Sequence, residues 1–199
     1  MIFRIFGIFL MFLGFVSLVL RRTKHQDGDK LQDFWKRENA SNLALPQDIE
    51  HLNYVDFSGT TLPFSLFSDD VLTQCEQQVL ELRNQKILNL NGISNTDLKL
   101  QYGVSNLSTL TRYDQNFILL VRTLNQWGHR LYELSYHNEA KTVLLFAVSI
   151  GSDIKSTYEL LLNICLEAGE TAAIEELKYS AEKLTSTRKD AILSLFEKA

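Results

Sequence analysis

The pattern of apolar and polar positions changes abruptly near the start of the chain. Residues 5–20 contain no charged side chain, and charged and polar residues follow directly. A helix of that length extends about 24 Å at about 1.5 Å per residue. With Ile2 and Phe3 added, and with Arg4 reaching back to the headgroups, the stretch approaches the roughly 30 Å hydrocarbon core of a bilayer. The pattern therefore predicts a transmembrane anchor over residues 1–22.

A cleaved secretory signal is the alternative for the same segment. Such a signal has a basic beginning, a shorter apolar core and small residues before the cleavage site. Here the beginning carries one arginine, residues 19–22 (VLRR) suit cleavage poorly, and residues 14–17 (GFVS) are only a weak cleavage site. The comparison favours an uncleaved anchor, and so a single-pass protein of the cell membrane.

The charges on either side of the anchor bear on its orientation. Arg21, Arg22, Lys24 and Lys30 follow the span, whereas Arg4 and the N-terminus precede it. Because cytoplasmic flanks carry the excess of Lys and Arg, this distribution favours a cytoplasmic C-terminal region. The excess is small, so the inverse topology stays open.

Residues 23–67 form the second predicted region. Leu31, Phe34 and Trp35 follow the spacing of one helical face, which predicts a short amphipathic helix beside the membrane. This helix either lies in the headgroup layer with Trp35 as an interfacial anchor, or docks Phe34 and Trp35 onto the globular domain. The sequence does not separate these two alternatives.

Residues 39–67 hold both prolines of the chain, Pro46 and Pro63, in a stretch too apolar for a linker. Their pattern predicts an extended segment that wraps around a surface, with one short strand in LNYVDF (52–57). Three apolar side chains are expected to pack on the helical domain: Leu62, Phe64 and Phe67.

From residue 68 onward the chain has no proline and its pattern is helical, so we predict an all-α domain over residues 68–199. Ser68 is the candidate N-cap of its first helix, with Asp69 and Asp70 in the first turn. After a turn around Asn91-Gly92, two short helices are expected, in DLKLQYG (97–103) and SNLSTLTRY (105–113).

Residues 121–184 carry the best-defined helical pattern. Large and small side chains recur there at fixed spacings in pairs of helices. The first copy consists of Leu124, Trp127, Gly128, Leu131, Ala140, Leu144 and Ala147. A weaker copy, about 34 residues later, consists of Tyr158, Leu161, Leu162, Cys165, Ala173, Leu177 and Ser180. These spacings resemble the tetratricopeptide repeat.

The resemblance implies antiparallel helical hairpins that bind a protein or peptide in a groove lined by the first helix of each hairpin. Leu162 departs from the repeat, because a small residue is usual there, and Ser152 stands where proline is usual. Since such arrays have at least about three copies, the helices of residues 68–120 would cover the open end.

Three segments of the chain, KRENASN (36–42), DIEHLNYVDF (48–57) and LPF (62–64), are similar to a group of uncharacterised bacterial proteins with a membrane anchor and a helical-repeat end. This second resemblance implies no activity.

Charge and cysteine content exclude some functions. The region after residue 24 carries a net charge of about −8, from 16 cationic and 24 acidic side chains. That excess argues against nucleic acid, which is bound through clustered Lys and Arg. Cys75 and Cys165 match no metal or redox spacing, and we expect both to be buried as small apolar residues.

Residues 126–140 (QWGHRLYELSYHNEA) contain two histidines, His129 and His137, in the stretch that most resembles reactive chemistry. They are eight residues apart across a helix break, with no HxxxH or HExxH spacing, so no metal site is predicted. Asp69 and Asp70 are explained by the preference of helix N-termini for acids. Without a phosphate-binding loop or nucleophile motif, we predict neither a cofactor nor catalysis.

The leading hypothesis is a membrane-anchored protein-interaction module, a scaffold or adaptor that holds a protein or peptide at the cytoplasmic face. Its candidate partner-binding residues are Gln126, His129, Arg130 and Glu133, with Arg122, Asn125, Glu159 and Asn163 as weaker candidates. The second hypothesis is an extracytoplasmic, membrane-tethered chaperone or secretion accessory factor of inverse topology. The third is an enzyme whose site is a pocket of several titratable groups. The oligomeric state stays open.

Overall fold

The computed structural model describes residues 11–12, 15–17, 30–66 and 68–197. Over these ranges the chain is all-α, with turns and extended segments and without a β-strand. No helix within the described part is long and apolar enough to cross a membrane. The predicted anchor over residues 1–22 lies outside that part, except for its two short described pieces.

The described helices are numbered here in chain order. They are α1 (30–42), α2 (Asp70–Arg83), α3 (Asn95–Tyr102), α4 (Val104–Glu133), α5 (His137–Ser149), α6 (Lys155–Glu167), α7 (Thr171–Glu182) and α8 (Lys189–Phe196). The chain divides into two compact units. The smaller unit is Met1–Gln47 with Asn95–Asn106, and the larger is Asp48–Ser94 with Leu107–Ala199.

In the smaller unit, polar side chains join α1 to α3. Glu38 accepts a hydrogen bond from Thr96 Oγ1 at 2.8 Å and also binds the ammonium group of Lys99. Arg37 forms a further ion pair with Asp97. The hydrogen bond from Lys99, followed by that from Thr96, lowers the pKa of the Glu38 carboxyl. These contacts hold the C-terminal half of α1 against α3.

Gly103, in the turn between α3 and α4, lies against an extended part of the same unit. Its φ of +82° is in the left-handed region, and a Cβ there would lie 2.7 Å from both Leu45 O and Pro46 Cα. Both neighbours are backbone atoms, which cannot move aside as a side-chain end can. This turn therefore requires glycine for its conformation and for the close approach.

We expect Gly103→Ala to lower the free energy of unfolding by about 3 kcal/mol or more, because the methyl group adds a backbone clash to left-handed strain. Gly169→Ala is the matched control, since Gly169 has φ +69° but a methyl group added there would meet nothing within 4 Å. It should cost only about 1 kcal/mol. Urea unfolding followed by circular dichroism measures both, and equal losses would contradict the role of the Leu45–Pro46 contact.

In the larger unit, α4 to α8 pack as successive helices. Helix α5 meets α4 where Gly128 approaches Leu144, and each later helix packs on the one before it. Contacts also join α5 to α7 and α6 to α8. Packing of each helix on its next and next-but-one neighbour is compatible with a helical-repeat-like fold.

Helix α4 corrects the predicted boundaries. SNLSTLTRY (105–113) does not form a separate short helix, because it is the beginning of a helix of 30 residues. The physical reason is that Leu110, Phe117, Leu124 and Leu131 continue one buried face without a break. The first helix of the tetratricopeptide-like pattern is thus the end of a longer one. The short helix predicted before it is present as α3.

The extended segment before α2 packs along the helices, as predicted. Phe57 contacts Phe146 of α5 and Phe64 contacts Trp127 of α4, each with ring centroids 5.2 Å apart. Leu62 is buried in the same core. The strand expected at residues 52–57 is not formed there. Its one described cross-segment backbone bond, from Val55 N to Ile87 O at 2.9 Å, does not make a ladder. Phe67 lies outside the described residues.

Candidate functional site

The last turns of α4 carry the four predicted partner contacts. Gln126 and Glu133 are exposed, whereas His129 and Arg130 are half-buried. The Nε2 atom of His129 is buried, and among the described residues it has no hydrogen-bond partner. The helix therefore presents Gln126 and Glu133 openly and His129 only in part.

Arg130 has an intramolecular partner that the sequence pattern did not indicate. Its Nη2 lies 2.7 Å from Oδ2 of Asp69, its Nε lies 3.2 Å from the same oxygen, and its Nη1 lies 3.0 Å from Oε2 of Glu133. A guanidinium held by two nitrogens on one carboxylate is a strong, directional contact. Arg130 thus ties the end of α4 to the start of α2, and it is not a free contact for a partner.

Asp69 is also the N-cap of α2, one residue after the predicted cap, Ser68. Its Oδ1 accepts hydrogen bonds from the N–H groups of Val71 and Leu72, each at 3.0 Å. The hydrogen bond from Arg130, followed by that from Leu72, lowers the pKa of the Asp69 carboxyl to about 2. The same contact raises the pKa of Arg130. One carboxylate therefore both begins α2 and holds it to α4.

We expect this carboxylate to make the stability depend on pH. Because the pKa of Asp69 falls from 3.8 to about 2 on folding, its contribution is fully present above about pH 4 and is lost as the pH falls towards 2. Asp69→Asn keeps a capping oxygen but removes the charge, so it should lower the urea midpoint at pH 7 and flatten the profile between pH 4 and 2. Asp70→Asn, at the exposed neighbouring acid, is the control. Parallel profiles for the two variants would contradict the pairing.

The first helices of the two hairpins, α4 and α6, lie side by side. Oδ1 of Asn125 accepts hydrogen bonds from Ser156 Oγ and Thr157 Oγ1, each at 2.9 Å. The hydroxyl of Tyr132 donates to Glu167 Oε1 at 3.2 Å, a bond that raises the pKa of the tyrosine. Asn125, one of the weaker candidates for partner contact, thus joins the two helices through these hydrogen bonds.

Exposed polar residues lie beside these joints. On α4 they are spaced at positions of one helical face, and on α6 they are four residues apart. The set comprises Arg122, Gln126 and Glu133 of α4, with half-buried His129 between them, and Glu159 and Asn163 of α6. We call this set the α4–α6 face. By definition this set contains three of the four predicted contacts and three of the four weaker candidates.

The two histidines of residues 126–140 do not converge. His129 belongs to the α4–α6 face, whereas His137 begins α5 and stacks on the ring of Tyr132, with centroids 4.6 Å apart. Over the part of the chain that the structure describes, no three His, Cys, Asp or Glu side chains are placed to hold a metal ion.

Both cysteines are buried and free, as the sequence pattern predicts. Burial raises the pKa of the Cys75 thiol to about 11 and also raises that of Cys165. Because the thiolate is the reactive form, neither side chain is a good nucleophile near neutral pH.

A cavity of about 300 Å³ beside α4 collects three ionisable side chains, Arg122, Asp153 and Arg188. Arg188 Nη1 lies 3.5 Å from Asp153 Oδ1. Both arginines stay protonated, and Asp153 is the only carboxylate among the described residues that line this cavity. A single carboxylate does not provide the two separated groups that acid–base catalysis uses.

Comparisons of the chain with protein-family models, with curated proteins and with solved structures find no match. The fold itself defines the class: an all-α protein of packed helices, compatible with a helical repeat.

Proposed function

We propose that this chain is a membrane-anchored protein-interaction module, a scaffold or adaptor without catalytic activity. Its α4–α6 face binds a protein or peptide partner. The observation that carries the proposal is that α4 and α6, two first helices joined by hydrogen bonds at Asn125, each expose polar residues. A groove lined by first helices is the surface through which helical repeats bind their partners.

The burial pattern supports a tetratricopeptide-like arrangement of the hairpins. Leu124, Trp127, Gly128 and Leu131 are buried on α4. Their counterparts Tyr158, Leu161, Leu162 and Cys165 are buried on α6. At Gly128, the small residue of the first pattern, the side chain of Leu144 on α5 lies against the backbone of α4. The first-helix positions that define the resemblance are therefore buried in both hairpins.

The anchor and the cytoplasmic orientation are supported by sequence, through the apolar residues 5–20 and the cations that follow them. A reporter fused to the C-terminus, active on only one side of the membrane, tests the orientation. Activity in the cytoplasm is the expected result. Activity on the outer side would instead support the membrane-tethered chaperone or secretion accessory factor.

A photo-crosslinking amino acid at Gln126 tests the binding face in the full chain at the membrane. We expect a defined adduct with one partner from position 126. The matched control is the same amino acid at Glu175, an exposed position on the second helix α7. Alanine at Glu159 and Asn163 should then reduce the adduct from position 126. An equal adduct from both positions, or one unaffected by these alanines, would contradict the assignment. Arg130 is left unchanged because it holds α2.

A further inference from the structure

One face of helix α1 is apolar in its N-terminal half and polar in its C-terminal half. Leu31, Phe34, Glu38 and Ser41 follow a spacing of three and four residues, so they share a side of the helix. The C-terminal half of this face contacts α3 through Glu38. The N-terminal half of the helix extends beyond that contact. The residues of this face are therefore polar near α3 and apolar towards the N-terminal end of α1.

The apolar half of the face is uncovered. Leu31 is 57% exposed, and Phe34 and Trp35 are each 54% exposed. The rings of Phe34 and Trp35 contact each other edge to face, with centroids 5.4 Å apart. Three adjacent large apolar side chains exposed on one helix mark an interaction surface.

The charge around this face is opposite to that of the rest of the chain. Residues 21–37 contain six Lys or Arg and three Asp, a net charge of +3, whereas residues 38–199 carry −8. Lys36 pairs with Asp33 at 3.4 Å, and its side chain stays 70% exposed on the same helix as the apolar residues. Cations that flank Trp, Phe and Leu on a helix are typical of segments that bind anionic lipid surfaces.

The position of α1 in the sequence brings it to the same surface. Nine residues, 21–29, separate the end of the apolar stretch from the first described residue of α1. Nine residues span at most about 32 Å, so the helix stays within reach of the headgroups of the membrane that holds the anchor.

We propose that the N-terminal half of α1 lies in the headgroup layer of an anionic membrane, with Leu31, Phe34 and Trp35 at the acyl boundary. The inference rests on the proposed membrane anchoring, and it adds a second lipid contact formed by a different segment. In this arrangement the chain leaves the bilayer surface after the N-terminal half of α1.

The two tryptophans of the chain allow a direct test, because Trp127 is fully buried. The full chain is reconstituted in vesicles of phosphatidylcholine and phosphatidylglycerol that carry bromine at a shallow acyl position. In Trp127→Phe, which leaves Trp35 as the single reporter, we expect brominated lipid to remove most of the emission. Trp35→Phe is the matched control, and its emission from Trp127 should hardly change. The difference between the parent chain and Trp35→Phe gives the same quantity without a change in the core.

Separate outcomes distinguish the inference from the anchor. A chain that floats with the vesicles while its Trp35 is quenched by aqueous iodide and not by brominated lipid would overturn the inference and leave the anchor in place. Quenching of Trp35 by neither reagent would also overturn it, since another protein surface would then cover the residue. Equal lipid quenching in vesicles of phosphatidylcholine alone would contradict the role of anionic lipid. A chain that stays in solution would contradict the anchor itself.

Discussion

Trp127→Ala should lower the free energy of unfolding of the larger unit by about 3–5 kcal/mol, the usual cost of truncating a buried aromatic side chain. Trp127 is fully buried at the joint between α4 and the extended segment, where it contacts Phe64. Its removal leaves a cavity that the neighbouring helices and the Phe64 segment can close only in part. Urea unfolding followed by far-ultraviolet circular dichroism measures the loss.

Trp127→Phe separates packing from hydrogen bonding at this position. The indole Nε1 is buried and, within the described residues, has no hydrogen-bond partner. Phenylalanine loses contact area but also removes that unpaired polar group, so the net cost should stay below about 1.5 kcal/mol. A phenylalanine variant as unstable as the alanine variant would contradict this account of the site.

Gly128→Ala should destabilise the protein by about 1–3 kcal/mol, although alanine normally favours a helix over glycine. The added Cβ would lie 2.4 Å from Cδ2 and 2.5 Å from Cγ of Leu144, whose side chain is fully buried on α5. Relief of this clash requires α4 and α5 to separate or Leu144 to leave its packed position. Urea unfolding of the full chain gives the change in the free energy of unfolding.

Leu144→Ala provides the second side of a double-mutant cycle with Gly128. Leu144→Ala alone should lower the free energy of unfolding by about 2–5 kcal/mol, because it opens a cavity at the same interface. In the double variant the methyl group at position 128 fills part of that cavity, so the combined loss should be smaller than the sum of the two single losses. Additive losses would show that the two residues do not share the contact.

The hairpins could be predicted from sequence because their packing is local and periodic. A small residue at Gly128 and a break near residues 135–138 are visible in the spacing of large and small side chains, and α4 ends at Glu133 while α5 begins at His137. The length of α4 was missed since the residues before position 121 lack the repeat pattern, although their apolar face continues into it. Helix continuity depends on the absence of a strong break, which a search for repeated spacing overlooks.

The exposure of Gln126 and Glu133 could be predicted from the sequence, but the intramolecular partner of Arg130 could not. Helical spacing places Gln126 and Glu133 on an open face, and both are exposed. It does not show that Arg130 meets Asp69, 61 residues earlier in the chain. That pairing depends on the way α2 packs against α4, which no local pattern encodes. The acid at position 69 was recognised only for its preference for a helix N-terminus.

The two buried thiols give the larger unit a pair of internal reporters. Cys75 lies on α2 and Cys165 on α6, so each thiol reacts with an alkylating reagent only when its own helix opens. If the two helices open together, the two opening equilibria have the same free energy. If α2 opens alone, Cys75 becomes reactive first while the hairpins stay closed. The alkylation of the two native cysteines thus shows whether α2 and α6 open together or separately.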